Sequence, residues 1–535
     1  MIKNALRVVL AGAAALAAPA LAPSDANAFC GFYVSGGGAK MFNDATQVVM
    51  MRAGTRTVFS MQNDYNGPVE DFALVVPVPV VLKQGDVKTL PTSVFDHVDS
   101  LGAPRLVEYW EQDPCEQLRP RGRMGKGPAM RSSRAMDDQG VSVEKTPTVT
   151  IEAKFTVGEY QVLILSATEA TGLEDWLRSN NYKIPSDAAP LLRPYIESGS
   201  KFFVAKVDPK KVSFVGNRAA LSPLRFDYDS EEFSLPIRLG MANSSGTQDL
   251  IINIIAADKR FEVANYKNVT IPTNFDVRDS VKPRFGEFYA ALFDQTTQQN
   301  PTAVVTEYSW QATPSSKCDP CPPEETLVTP SDLALLGGDV LGGPIATGTF
   351  VLTRMHARYG KADMKDDLRF SEAGAIVGGR EQRNSNNQLE YGSSKANQNN
   401  FQARYAMRHW WTGAITCKNP RRGIWGGPWN YDEQSDDMII ARKVAFAPRG
   451  KVRLASLVKR DLPEIGIRRW RPTPIAPTIP TVPPGGFATP PTTVGKPAGA
   501  SVPTKAMGVG LGGGLALAML VGSQRLARRR RRSGR

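Results

Sequence analysis

Histidine is nearly absent from this chain: His97, His356 and His409 are the three in 535 residues. None stands in H-E-x-x-H or another metal-ligand spacing, so the zinc-protease signature is excluded and each imidazole is at most an isolated acid or base. Cysteine is scarce and odd in number: Cys30, Cys115, Cys318, Cys321 and Cys417. At least one thiol must therefore stay unpaired or pair with another chain. There is one C-x-x-C and no second, which argues against a structural zinc site with four thiolates. No G-x-S-x-G occurs, and the glycines near Ser35 lack the P-loop pattern. S-x-x-K is found at Ser198 and at Ser456, without the companion motifs of a serine acyl-enzyme. No repeat of fixed period is present.

Charge is plentiful but uneven. The formal net charge is +13, of which the terminal arginines Arg525, Arg528 to Arg532 and Arg535 supply seven. The segment 119–134 adds six basic residues and no acidic ones. The remainder is close to balanced. No aromatic-basic interleaving is present, so nucleic acid is not an expected partner.

The two ends carry targeting signals. Lys3 and Arg7 precede an apolar run, and Ala26-Asn27-Ala28 offers a small-x-small cleavage site, so 1–28 reads as a signal peptide. Phe29 occupies the place where lipidation of Cys30 would need a small residue. At the other end, 506–524 is apolar and uncharged, about the minimum length for a hydrocarbon core of roughly 30 Å. The basic tail 525–535 should stay on the cytoplasmic side. Gly508 and Gly512, like Gly510 and Gly514, have the G-x-x-x-G spacing that lets two helices approach, so a helix-mediated dimer is open. Gly508, Gly510 and Gly513 spell G-x-G-x-x-G, but no βαβ unit surrounds them, and no cofactor is expected. Residues 471–505 are dense in Pro, Thr and Gly and read as an extended spacer. The chain is thus expected to be exported and anchored in the cytoplasmic membrane. Its body would be periplasmic or extracellular, or at the cell surface if the tail is processed.

The body, 29–470, with a subdivision placed near 280, reads as β-rich. Strands are expected at 46–51, 57–62, 105–110, 148–155, 160–166, 201–207, 233–239, 250–256, 304–310, 349–355, 401–409 and 441–446. The apolar run 72–81 contains Pro77 and Pro79, so it should be an edge strand or leave its sheet there. Short helices are expected at 93–101, 173–178, 188–197 and 285–293. Segments 114–140 and 384–400 read as a disordered insertion and a surface loop. The fold class is α+β: one or two sandwich-like sheets with a few short helices, plus a single C-terminal transmembrane helix. Strands and helices do not alternate regularly, which argues against a parallel α/β sheet.

Cys318-Asp319-Pro320-Cys321 is the sharpest local motif. Its thiols can close a small disulfide ring, exchange electrons or share a metal. Pro322-Pro323 opposes the helix that a redox cysteine usually caps, which favours the structural disulfide. Cys30, Cys115 and Cys417 are candidate structural thiols. The pairs Glu231-Glu232, Asp366-Asp367 and Asp436-Asp437 fit solvated turns. Trp425-Gly426-Gly427-Pro428-Trp429 is either a rigid turn with packed tryptophans or an aromatic surface for a sugar or peptide. His409, beside Trp410 and Trp411, fits an aromatic-rich packed edge.

Several segments resemble a known family. Phe29-Cys30-Gly31-Phe32, Phe72-Ala73-Leu74-Val75-Val76-Pro77-Val78-Pro79, Lys201-Phe202-Phe203-Val204-Ala205-Lys206-Val207 and the Cys-Asp-Pro-Cys motif are similar to exported bacterial proteins of domain of unknown function 2330. Leu352-Thr353-Arg354-Met355-His356-Ala357-Arg358-Tyr359 resembles its longer members. The resemblance runs to about Phe446, implies an envelope protein and carries over no activity. The tail also resembles bacterial C-terminal sorting tails, though without a cysteine before the helix. The function expected is a non-enzymatic scaffold or binding module, with an envelope protein or polysaccharide as partner. The alternative is a thiol-disulfide or metal-dependent envelope enzyme using Cys318 and Cys321.

Overall fold

The computed structural model describes residues 32–35, 42–66, 72–115, 149–182, 184, 188–215, 218–243, 246–360, 363–382, 389–427, 438–440, 442, 450 and 452–468. The chain divides into two compact units, 1–470 and 471–535. The second, with the expected spacer, membrane helix and basic tail, lies outside the described residues, as do the expected signal peptide, Cys30 and most of the segment 114–140. Among the described residues no helix is long and apolar enough to cross a membrane.

The described part of the first unit is β-rich α+β. Its centre is an eleven-stranded mixed sheet. From one edge the order is Ser394–Lys395, Ile376–Gly378, Asn400–Gln402, Val304–Ala312, Phe350–Tyr359, Gln248–Ala256, Phe42–Ala53, Arg56–Asn66, Leu224–Asp229 and Val87–Thr89, with Asn268–Thr270 also paired to Val304–Ala312. The strand Gln248–Ala256 explains its own position. Rich in Leu and Ile, it is buried along all nine residues, as expected for a strand covered on both faces. It pairs antiparallel with Phe350–Tyr359 and parallel with Phe42–Ala53, so strands from either side of residue 280 share one sheet. The expected hairpin turns at Gly54, whose φ of 58° suits glycine.

A five-stranded sheet packs on one face of this sheet, in the order Phe32–Ser35, Phe72–Val78, Lys201–Val207, Tyr160–Ala167 and Val149–Val157. Leu74, Val76, Val162, Ile164 and Phe203 meet Val48, Met50, Phe59, Ile252 and Ile254 in the sandwich core. Each such side chain contributes about 1.5–3 kcal/mol by burial. Four longer helices cover the outer faces: α1 (Thr92–Gly102), α2 (Ala170–Ser179), α3 (Ala188–Glu197) and α4 (Phe285–Gln299). Leu173, Leu177, Leu192 and Tyr195 of α2 and α3 cover Val75, Leu165, Phe202 and Val204 of the five-stranded sheet. On the far face of the central sheet, α1 packs Val94, Phe95 and Val98 near Val49, Met51 and Leu352. There α4 packs Phe288 and Leu292 near Ile251 and Val305.

Two expectations change and a third is met. The stretch 233–239 forms only the two-residue strand Ser234–Leu235, then turns into the 3-10 segment Arg238–Asn243. Leu235, Ile237 and Leu239 are all buried, so their alternation reflects packing into the sandwich without a ladder to extend it. The stretch 401–409 divides at Ala403: Asn400–Gln402 joins the central sheet and Arg404–His409 joins a small separate one. The run 72–81 leaves its sheet at the prolines, as one of the two expected outcomes. Ala73–Val75 are flanked by strands on both sides, Pro77 pairs with Phe202 alone among the described residues, and the strand stops before Pro79. The strand expected at 441–446 lies almost entirely outside the described residues.

Candidate ligand-binding cleft

The small sheet that begins at Arg404 builds an open cleft. Phe275–Asp276, Arg404–His409, Arg105–Glu111 and Trp425–Gly426 lie in that order, with Met438–Ile440 also paired to Arg105–Glu111. Alternation places Tyr405 and Met407 toward α4 and Arg404 and Arg408 on the opposite face. The α4 side is rigid: Tyr405 meets Phe275 and Phe288 with ring centroids 4.9 and 5.1 Å apart. On the cleft side both guanidinium groups lie over the ring of Tyr109.

The cleft has a volume of about 340 Å³ and is lined by Asn274, Phe275, Asp276, Leu389, Tyr391, Arg408, Trp410, Gly423, Trp425 and Arg460. Trp410 and Tyr391 are 57% and 43% exposed, unusual for such large aromatics. The Trp410 and Trp425 rings meet edge to face at 4.9 Å.

The charges sort into held and unheld. Arg408 donates to both oxygens of Glu381, at 2.9 and 2.7 Å, and pairs with Asp276 through Oδ1. Arg404 shares Glu381 at 2.9 Å and also reaches Asn274 and Tyr109. Arg460 differs. Its guanidinium lies 4.3 Å from the Tyr391 centroid and 5.8 Å from that of Phe275, with no ion pair or hydrogen bond among the described residues. Burial lowers its pKa, and the charge of Asp276 opposes that. Three guanidinium groups thus face two carboxylates.

One buried carboxylate holds the wall. Glu111 accepts from Arg422 Nε at 2.8 Å and Arg422 Nη2 at 2.7 Å, and from the amides of Gly423 at 2.7 Å and Trp411 at 3.0 Å. Burial pushes its pKa up, but Arg422 and the two amides outweigh this and hold it below the ordinary value. A disulfide joins Cys115 to Cys417, 302 residues apart in sequence, and the amide of Arg421 donates to Pro114. Residues 411–423 are therefore fastened at several points to the end of the strand Arg105–Glu111. His409 closes the same edge: it bonds Glu108 at 2.8 Å and stacks on Trp110.

A second polar assembly is sealed between α1 and α4. Asp99 of α1 accepts from Arg354 at 2.6 Å, and Arg354 Nε donates to Glu307 at 2.7 Å. Glu307 bonds His356 Nδ1 at 2.9 Å, and His356 Nε2 lies 3.3 Å from Asp249. Asp249 accepts from Arg358 at 2.8 Å, and Arg358 reaches Asp294 of α4 at 2.5 Å. A β-bulge makes the chain continuous: pairing shifts between Thr306 and Tyr308, leaving Glu307 as the extra residue. Burial pushes the Glu307 pKa up, but His356 and Arg354 outweigh it and hold the group at about 2. Burial lowers the His356 pKa, with Glu307 opposing. The imidazole stacks on Phe293 of α4 with 3.6 Å between centroids. These groups are closed to solvent at their centre, so they order the interior rather than meet a ligand.

Cys318 and Cys321 are joined, with Cα atoms 4.9 Å apart. Cys318 is packed beside Leu327 and Val328, and no helix begins at either cysteine. The loop touches the interior through the Asp319 carbonyl, which accepts from Gln402 at 2.6 Å. Among the described residues no group of three or more His, Cys, Asp and Glu side chains is arranged to hold a metal ion. Asp366 and Asp367 diverge: the first is exposed and pairs with Arg238, the second accepts from Tyr195 and the Ile237 amide, so only one of them fits the solvated-turn expectation. Ser198 and Ser456 donate to the carbonyls of Tyr195 and Arg453. Trp425 joins the cleft, whereas Pro428 and Trp429 lie outside the described residues. Arg460, Tyr391 and Asp276 carried no sequence signal, because only the fold brings them together.

Residues 24–371 match a family described as uncharacterized protein conserved in bacteria, DUF2330, and the chain belongs to that family. The match stops before most of the cleft, and before the expected limit near Phe446. No curated protein and no solved structure matches the chain.

Proposed function

We propose that this chain is a non-enzymatic binding module of the bacterial cell envelope, exported by its leader and held at a membrane by its tail. Segment 471–505 would act as spacer, 506–524 as the single transmembrane helix and 525–535 as the cytoplasmic anchor, with the body periplasmic or extracellular, or at the surface if the tail is processed. The glycine spacing in the helix would allow a dimer. The observation that carries the binding role is the cleft, which presents exposed Trp410 and Tyr391 beside the guanidinium of Arg460, unpaired among the described residues. Such a surface recognises and orients a ligand. Asp276 is the one carboxylate in its lining among the described residues, whereas glycoside hydrolysis ordinarily needs two flanking the bond.

The alternative, a thiol-disulfide enzyme at Cys318 and Cys321, is disfavoured because Cys318 is buried and because no helix begins at the exposed Cys321 to stabilise its thiolate. Two measurements test the proposal. Fractionation of the native cell should place the full chain in the membrane, released by a truncation before residue 506. The Trp410→Ala variant should lose retention of envelope material while keeping the wild-type unfolding midpoint. A cytosolic full-length chain would sink the anchoring, and unchanged retention would sink the binding role.

A further inference from the structure

Charge and shape together narrow the ligand of the cleft. Its aromatic groups stay open to solvent, so whatever rests on them has both an apolar face and a wet one. A pyranose ring has that character: its C–H face lies on an indole while its hydroxyls point away. Asn274, Asp276, Arg408 and Arg460 are polar residues of the lining. Asp276 uses Oδ1 on Arg408 and is partly exposed, leaving Oδ2 to accept a hydroxyl. Arg460 is held only by ring faces, so its N–H donors point to no carboxylate among the described residues. Among the described residues, three guanidinium groups against two carboxylates leave one positive charge uncompensated, and a planar guanidinium suits a carboxylate bidentately.

We infer that the cleft binds an acidic polysaccharide, with a pyranose face on Trp410 and a uronate carboxylate on Arg460. This rests on the binding role proposed above and adds the chemical class of the ligand. A peptide rich in acidic residues is the nearest competitor. It is less well served, because it brings a carboxylate to Arg460 but no flat C–H ring face to lie on the exposed indole of Trp410.

The experiment is titration calorimetry of the folded body with galacturonate hexamers, neutral cello-hexaose and oligo-glutamate of matched charge. The uronate is expected to bind at least about tenfold tighter than the neutral sugar, a difference of about 1.4 kcal/mol. Its affinity should fall as salt rises. Arg460→Gln should bring the two sugars to equal affinity, and Trp410→Ala should weaken both by about tenfold. Circular dichroism and unfolding midpoints of the variants check that the fold is kept. Equal binding of both sugars by the unmodified protein overturns the acidic preference and leaves the binding role standing. Tighter binding of oligo-glutamate overturns the polysaccharide assignment. Absence of binding to all three overturns the inference, and the envelope-retention test above then decides the binding role separately.

Discussion

Glu307 meets Arg354 at 2.7 Å in the interior, and it stands there as the extra residue of a β-bulge. Alternation from Val305 already aims that carboxylate at the α4 side, and the bulge lets Tyr308 follow on the same face, opposite Arg354, instead of turning into the sandwich core. With it, carboxylate and guanidinium are both fully buried on the α1–α4 side, where Asp99 and His356 extend the chain of charges.

Removing the charge of Glu307 should therefore be costly. Glu307→Gln leaves Arg354 buried with Asp99 as its remaining carboxylate, and breaking a buried pair typically costs about 3–5 kcal/mol. A urea titration followed by circular dichroism should show a lower midpoint with an unchanged slope. A midpoint within error of the wild type would mean that the pair contributes nothing.

The same chain fixes the acid limb of stability. Glu307 has an ordinary value of 4.5 and is held at about 2 in the fold. His356 is held below its ordinary 6.5. Both shifts are downward, so the unfolded chain binds more protons than the folded one as pH falls. The His356 contribution is complete above about pH 6.5 and is lost as pH falls through its lowered value. The Glu307 contribution is complete above about pH 4.5 and is lost down to about pH 2. His356→Gln should flatten the first limb and shrink the second, because the imidazole is among the groups that hold Glu307 low. Unfolding midpoints measured from pH 7 to pH 3 test this, and a wild-type profile flat between pH 7 and 5 would refute the role given to His356.

How much of this was legible beforehand depends on the range of the forces involved. The helix 188–197 and the strand 201–207 were readable to the residue, because local periodicity and burial point the same way. The strand around Thr353 was readable, and its alternating Arg354, His356 and Arg358 already place three polar side chains on one face. Their partners were not readable, since Asp99, Asp249 and Glu307 come from three distant segments. A bulge also depends on the neighbouring strand, so Glu307 looks from sequence like one more alternating residue. The break at Ala403 is of the same kind: Gln402 and Arg404 enter different sheets although their residues are equally strand-prone. The cleft was legible only in its tryptophans.

The two disulfides should differ in effect. Replacing Cys318 and Cys321 by serine opens a ring of very few residues, which the chain-entropy account values at about 2 kcal/mol. Replacing Cys115 and Cys417 releases a link across 302 residues, nearer the upper end of about 5 kcal/mol. Thermal unfolding of the two double variants should rank them in that order. The reverse ranking would show that the short ring carries more than a local staple.

Glu111 is the group that gives the cleft its wall. It is fully buried, and its bonds to Arg422, Gly423 and Trp411 bind both ends of the segment that follows Trp410. Glu111→Gln keeps the volume but replaces a charged acceptor, and one amide oxygen cannot serve all of those donors. Hydrogen bonds to a charged group are worth about 1.5–3 kcal/mol, so the loss should open this segment locally. Trypsin reads the opening directly, because Arg421 and Arg422 lie within it. Cleavage there should quicken by about tenfold or more for each 1.4 kcal/mol of lost protection. The carboxylate's lowered pKa sets the pH sense: protection is complete above the ordinary carboxylate value and fades as pH falls through the lowered one. If Glu111→Gln is cut at Arg421 and Arg422 no faster than the wild type, the wall is held by the Cys115–Cys417 link alone, and the carboxylate has no part in shaping the cleft.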